Sequence, residues 1–329
     1  MKKAVCSGYY GFDNFGDDAV LKVLVEIFSK KYDLTVFSAN PNKTAALYDV
    51  HSIYSFNYTE VIKEIKSTDV FISGGGSLLQ DTTSFKSLLY YLLLINVALL
   101  FGKKVIIFAQ GMGPFKNSLS RFLVRQTLKN CSIVTVRDEK SFELLNKWGV
   151  RCSQVCDPVF SIPITTRNKN GKLGIQLRSC QDLSENFLEN LASAINQEFG
   201  EMPVVLYSLQ DKLDLNICKN FAKKLKTTNI EIKQNLTIDE AITELSELEY
   251  LIAMRFHATL IALKAGVKTL PVAYDPKVEI LAQEINIPFI KLNKKSNILE
   301  HVQWLKAFDT TGTQEYIKNK IFNVDIFDI

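Results

Sequence analysis

Residues Phe71 to Asp81 read FISGGGSLLQD, and this stretch decides the fold. The apolar run Val70, Phe71, Ile72 stops at three consecutive glycines, Gly74, Gly75 and Gly76, and a long apolar pattern of helical length follows. A short buried strand turning into a helix through a loop without side chains is the repeating unit of a parallel α/β sheet. Glycine permits positive φ and lets a ligand approach the backbone closely, with amides available to an anion. The same glycines also suit a tight strand-to-helix turn that needs them only for steric reasons.

The alternation continues in both directions. Upstream, a strand over Ala4–Ser7 enters SGYYGFDNFGDDAVL, where Asp17 or Asp18 can cap the helix that follows. Downstream, the strand Val105–Ala109 runs into Gln110-Gly111-Met112-Gly113-Pro114, and Ile133–Val136 ends at Arg137. Residues 164–172, ITTRNKNGK, are polar and aperiodic, which reads as a linker. The pattern then restarts. Leu173–Leu177 ends at Arg178, Tyr250–Ala253 at Met254-Arg255-Phe256-His257, and Thr269–Ala273 at Tyr274-Asp275-Pro276-Lys277. The expected fold is therefore α/β, with two Rossmann-like domains over 1–163 and 173–329. Ligands of such sheets bind at the carboxyl ends of strands, so a cleft between the two facing sheets is the expected site.

Bulk properties narrow the function. The 329 residues are 47% hydrophobic and 22% charged, with 39 basic against 35 acidic side chains. That is a soluble globular composition, and the near-balance of charge speaks against a nucleic-acid binder. Six cysteines match no zinc spacing, and no acidic cluster suits a metal, so none is expected. The N-terminus MKKAVCSGYYG has no apolar core of signal-peptide length, so a reduced, cytoplasmic location is expected. The longest apolar run, Leu88 to Phe101, is 14 residues interrupted by Asn96. It falls below the roughly 17–25 residues that span a bilayer. It reads as a helix buried on the sheet, and with Lys86, Lys103 and Lys104 beside it also permits peripheral contact at the inner face of a membrane.

The cations at strand ends carry the chemistry. Arg178, Arg255 and Lys277 are placed to hold phosphate or carboxylate. His257, two residues from Arg255, suits proton transfer near neutrality. The segments SGYYGFDNFGDDAVL, ISGGGSLLQD, SLLYYL, FAQGMGP, VRDEKS, CDPVF, MRFHATLIAL and YDPKV, in that order from residue 7 to about 280, together resemble the polysaccharide pyruvyl transferase family. Within it they look most like the branch acting on lipid-linked cell-wall disaccharides that anchor an S-layer.

That resemblance implies a glycosyltransferase-B-like pair of domains. It also implies a reaction that moves the carboxyvinyl group of phosphoenolpyruvate onto two hydroxyls of one sugar, N-acetylmannosamine in this branch, as a ketal with release of phosphate. It needs no cofactor beyond phosphoenolpyruvate as donor substrate. The family's arginine and histidine around phosphoenolpyruvate fall on Arg255 and His257, its DPK lysine on Lys277, its VRD arginine on Arg137, and its loop acid on Asp17 or Asp18. Arg178 stands where an arginine follows a G-x-x-L strand. Tyr10, Asn14 and the Gly74–Gly76 loop complete the expected substrate contacts, although Tyr9, Tyr10 and Phe12 equally suit packing against the sheet. Three other readings compete: a nucleotide-sugar glycosyltransferase of the same fold, a dinucleotide-binding oxidoreductase, disfavoured by the lack of G-x-G-x-x-G with a following acid, and a non-catalytic glycan-binding sensor.

Overall fold

A computed structural model describes residues 1–82, 84–165, 167–292 and 297–327. The chain forms two compact units, Met1–Ile162 with Ile321–Ile329, and Pro163–Lys320.

The first unit holds a parallel sheet of β1 (Lys2–Ser7), β2 (Tyr32–Ser38), β3 (His51–Tyr54), β4 (Val70–Ser73), β5 (Lys104–Gln110), β6 (Ile133–Val136) and β7 (Ser153–Gln154), in spatial order 3-2-1-4-5-6-7. One sheet face packs against four helices, Tyr58–Ser67, Phe85–Leu100, Ser118–Leu128 and Glu139–Lys147, through Val61, Ile65, Leu88, Ile95, Val124 and Leu145. The other face carries helix Phe15–Phe28. There Phe28 and Phe108 meet Phe327, with ring centroids 5.6 and 5.1 Å away, and Phe322 lies 5.6 Å from Phe108. The expected boundary of 173–329 therefore changes at its end. Two terminal rings gain more by burial on the first sheet, about 2–3 kcal/mol each, than they would in solvent.

The second unit repeats the plan with β8 (Leu173–Gln176), β9 (Val204–Tyr207), β10 (Ile230–Lys233), β11 (Tyr250–Ala253), β12 (Lys268–Ala273) and β13 (Ile290–Lys291), in order 10-9-8-11-12-13. Its central strands β8, β9 and β11 are buried on both faces because helices cover both. Helix Ile238–Ser246 starts at a capping box, with Thr237 and Glu240 exchanging bonds.

The glycine loop is built for packing. Tyr10 is fully buried, and a Cβ on Gly74 would sit 1.9 Å from its hydroxyl, and on Gly8 2.3 Å from its ring. A Cβ on Gly75 would meet Val20 at 2.5 Å, which is how helix Phe15–Phe28 closes on the sheet. Gly76 takes φ +99, a value that side chains disfavour. Gly74 N–H donates to Ser7 O, so this amide is not offered to an anion. Past a register shift in which Ala109 adopts φ 44, Gln110 donates from Nε2 to Ser73 Oγ and Gly74 O and locks the loop from the next strand. Asp81, at the end of the motif, accepts from Lys116 N–H and Asn117 N–H at 2.6 and 2.9 Å. Burial would raise its carboxyl, but the hydrogen bonds from the Lys116 and Asn117 amides, with the Ser120 hydroxyl close by, outweigh it and hold it down at about 2.

Gly74→Ala should destabilise the protein by about 3 kcal/mol, as overpacking at a rigid contact does, measured by urea unfolding. Tyr10→Phe, which deletes the hydroxyl at 1.9 Å but leaves the ring carbon at 2.9 Å, should recover part of that loss in the double variant. Additive losses would contradict the contact.

Candidate active site

In the first unit the carboxyl ends of β1 and β4 gather an acidic loop. Asn14 caps helix Phe15–Phe28, its Oδ1 accepting from Gly16 N–H at 3.2 Å, so the cap is neither Asp17 nor Asp18. Asn14 also donates from Nδ2 to Asp17, which makes its role the shaping of the loop. Released from capping, Asp17 and Asp18 lie in the first turn, and Asp17 Oδ1 sits 2.8 Å from where a Cβ on Gly76 would stand. Gly76 is thus the point where the glycine loop touches the acidic loop. Burial, then the charges of Asp17 and Asp13, push Asp18 up from 3.8 to about 7, and Lys43 pulls it back. Lys43 itself is bound to Asp13 at 2.6 Å. A carboxyl near 7 both holds and gives up a proton at neutral pH.

Two expected contacts belong to the framework. Tyr10 lies beneath Gly8 and Gly74 with Cys6 Sγ 3.8 Å from its hydroxyl, so it packs and does not stack on a sugar. Tyr9 and Phe12, stacked at 4.2 Å, extend with Phe56 into a partly exposed aromatic face. Arg137 is buried and donates to Asp157 at 2.7 Å and to Ser77 Oγ at 3.1 Å. Its ion-pair partner is not the neighbouring Asp138, which caps helix Glu139–Lys147.

In the second unit the ends of β8, β11 and β12 converge. The Arg255 guanidinium, 6% exposed, donates Nε–H and Nη2–H to the two oxygens of Asp214 at 2.8 and 2.7 Å, and Nη2–H also to Gln210 Oε1 at 3.0 Å. Asp214 takes three further bonds, from Leu209 N–H, Gln210 N–H and Gln176 Nε2. Gln176 Oε1 accepts from Arg255 N–H at 2.8 Å. Arg255 was expected to hold the donor with its fork. The fork is spent on Asp214, because removing either partner of a buried pair costs about 3–5 kcal/mol. Asp214 gave no sequence signal. It lies 41 residues from its partner in an ordinary amphipathic helix.

Arg178 is different. It donates from Nη1 to Tyr274 Oη at 3.0 Å and stands over the Tyr274 ring at 5.3 Å, and no carboxylate among the described residues pairs with it. Burial raises the Tyr274 phenol, the Arg178 charge pulls it down, and Asp275 and Arg255 act in opposite directions on it. Helix Phe256–Lys264 begins there with Arg255 as an N-cap that makes no side-chain bond to the first turn. Such an end favours an anion. His257 lies in that first turn, partly buried, its ring edge-on to Phe256 at 5.0 Å. Lys277 occupies the first turn of helix Pro276–Glu284, whose cap Asp275 accepts from its N–H at 3.0 Å.

The profile of the polysaccharide pyruvyl transferase family matches residues 14–276, most of the chain. The chain belongs to that family. Comparison with curated proteins gives no match. Three solved structures share the glycosyltransferase-B-like fold at low identity. S. aureus MnaA, in a co-structure with UDP, aligns with TM-score 0.68 and 12% identity over 100% of this chain and 94% of its own. HepE from Anabaena, in complex with UDP-glucose, gives 0.66 and 10% over 100% and 99%. The UDP-GlcNAc 2-epimerase from Methanocaldococcus jannaschii gives 0.64 and 12% over 99% and 96%. These likenesses establish two parallel-sheet α/β domains, and the family makes the chain a transferase acting on a polysaccharide. Among the described residues no helix is long and apolar enough to cross a membrane.

The Asp18 carboxyl carries a testable pH dependence. Because folding raises it from 3.8 to about 7, its neutral form is favoured in the folded state. Its contribution to stability is complete below about pH 4 and is lost as pH rises through 7. Asp18→Asn should therefore be more stable than the native chain at pH 8, on the order of 2 kcal/mol after allowance for partial exposure, and should match it near pH 4. Equal melting temperatures at pH 8 would contradict the assignment.

Proposed function

We propose that this family member transfers the carboxyvinyl group of phosphoenolpyruvate onto two hydroxyls of one sugar in a cell-surface polysaccharide precursor, as a pyruvate ketal. The acceptor we favour is N-acetylmannosamine in a lipid-linked carrier. The observation that carries the donor assignment is Arg178, a partly buried cation with no carboxylate partner among the described residues, beside a helix whose N-cap residue, Arg255, makes no side-chain bond to the first turn. Phosphoenolpyruvate brings a phosphate and a carboxylate, and Arg178, Lys277 and the first amides of helix Phe256–Lys264 suit that charge. Arg255 supports the site through its charge and by fixing the backbone at the helix start.

In this reading His257 protonates C3 of the enol, leaving C2 cationic. A sugar hydroxyl attacks C2 and yields its proton to a carboxylate, for which Asp18, poised near neutrality, is the best placed in pKa and Asp17 its neighbour. The second hydroxyl then attacks C2, the C2–O bond to phosphate breaks, and one proton leaves with phosphate. The proton gained by the methyl group balances the other. Cations that fit phosphate in the ground state also stabilise its departure.

Phosphate release from phosphoenolpyruvate should depend on an acceptor containing N-acetylmannosamine. His257→Ala should lower turnover by about 10²–10⁴-fold while phosphoenolpyruvate binding stays within a few-fold. A fully active His257→Ala would remove the acid role. Release with no acceptor of a glycan panel, alongside consumption of a nucleotide sugar, would replace this reading with a glycosyltransferase.

A further inference from the structure

The helix layer on the first sheet presents an outer surface that is apolar and cationic together. Helix Phe85–Leu100 is apolar all round, the pattern of a helix buried on every side. It buries Leu88, Leu92 and Ile95 on the sheet, yet its opposite stripe lies open, with Leu89, Leu93 and Leu100 exposed by 40, 55 and 82%. Asn96, on that stripe, turns its amide back, donating to Leu92 O at 2.7 Å and Thr127 Oγ1 at 2.9 Å. The flanking helices continue the surface, Tyr58–Ser67 with Ile62 and Ser118–Leu128 with Leu119 and Phe122, all exposed.

Charge on this surface has one sign over a long stretch. From residue 82 to residue 136 the sequence has no Asp or Glu, and its charged residues are Lys86, Lys103, Lys104, Lys116, Arg121, Arg125 and Lys129. Those that bond to the protein donate to peptide carbonyls: Lys103 to Lys66 O, Arg121 to Phe115 O and Arg125 to Trp148 O. No carboxylate among the described residues neutralises any of them. The acids of the neighbouring helix are engaged locally, Glu60 by Asn57 and Glu64 by Thr35.

We infer that this surface docks the chain on an anionic lipid bilayer, with the open leucines and Phe122 at the acyl boundary and the lysines and arginines at the headgroups. Interfacial binding needs an open apolar stripe and basic residues in the same place, and both are here. A 16-residue helix lies in the interface because it is too short to span it. A second copy of the chain fits worse, since a two-fold contact would set these cations against themselves. Leu119 falls in the first turn of its helix and Leu89 and Phe122 early in the second turn of theirs, so the surface extends toward the strand-end edge that carries the glycine loop. The inference holds whatever chemistry occurs at that edge.

The test is co-sedimentation of the full chain with vesicles of phosphatidylcholine alone and with about 30% phosphatidylglycerol, at about 0.1 M and about 0.5 M salt. Binding should require phosphatidylglycerol, weaken with salt, and fall at least about tenfold in Leu93→Gln/Phe122→Gln and in Lys86→Glu/Arg121→Glu. Leu100→Gln, at the most exposed position, serves as a second apolar variant should the first melt early. Absence of binding to the anionic vesicles would overturn the inference. So would unchanged binding in the charge-reversed variant or in folded apolar variants.

Discussion

Asp214 and Arg255 form the contact on which the second unit's strand ends depend. A carboxylate with 0% exposure takes bonds from two backbone amides, a glutamine and a bidentate guanidinium, four of them on Oδ2 and one on Oδ1. Breaking such a pair strands a charge in low dielectric at a cost of about 3–5 kcal/mol. No ligand anion can claim the Arg255 fork without meeting that cost. In the proposed reading electrostatic duty passes to Arg178, whose side chain bonds, among the described residues, a neutral phenol that also offers its ring face. The same pair fixes where helix Phe256–Lys264 begins, because Gln176 holds both Asp214 and the Arg255 amide. His257 takes its position from that start.

The order of strands and helices could be read from the sequence because buried parallel strands are continuous apolar runs and their helices have a different period. Edge elements were harder. β3, which begins at His51, is an edge strand that pairs among the described residues with β2 alone, so half its surface needs no apolar residue. The identity of the helix cap was hidden for a related reason: Asn14, Asp17 and Asp18 are all good caps, and only loop geometry chooses among them. The cation set at strand ends was legible, since polar residues at the carboxyl ends of parallel strands are where ligands bind. Which cation is free was not. That depends on Asp214 and Asp157, partners set by tertiary contact 41 and 20 residues away.

The glycine triplet shows how one motif serves two readings. Its residues are required because Tyr10, Val20 and Asp17 occupy the space where side chains would be. Steric need and closeness to the acidic loop coincide at Gly76, so the packing that makes the loop also delivers Asp17 to it. Asp18 then titrates near neutrality because it is buried beside the charges of Asp17 and Asp13, and Lys43, which lowers it, is already held by Asp13. Motif and titration both follow from how tightly helix Phe15–Phe28 closes on the sheet.

The central claim is that Arg178, not the Arg255 fork, is the cation available to the donor. Calorimetric titration of phosphoenolpyruvate into the native chain and into Arg178→Ala tests it directly. The account predicts at least about a tenfold loss of affinity in the variant, the worth of a charge-assisted bond or more, with an unchanged melting temperature. Undiminished binding by a folded Arg178→Ala would contradict it.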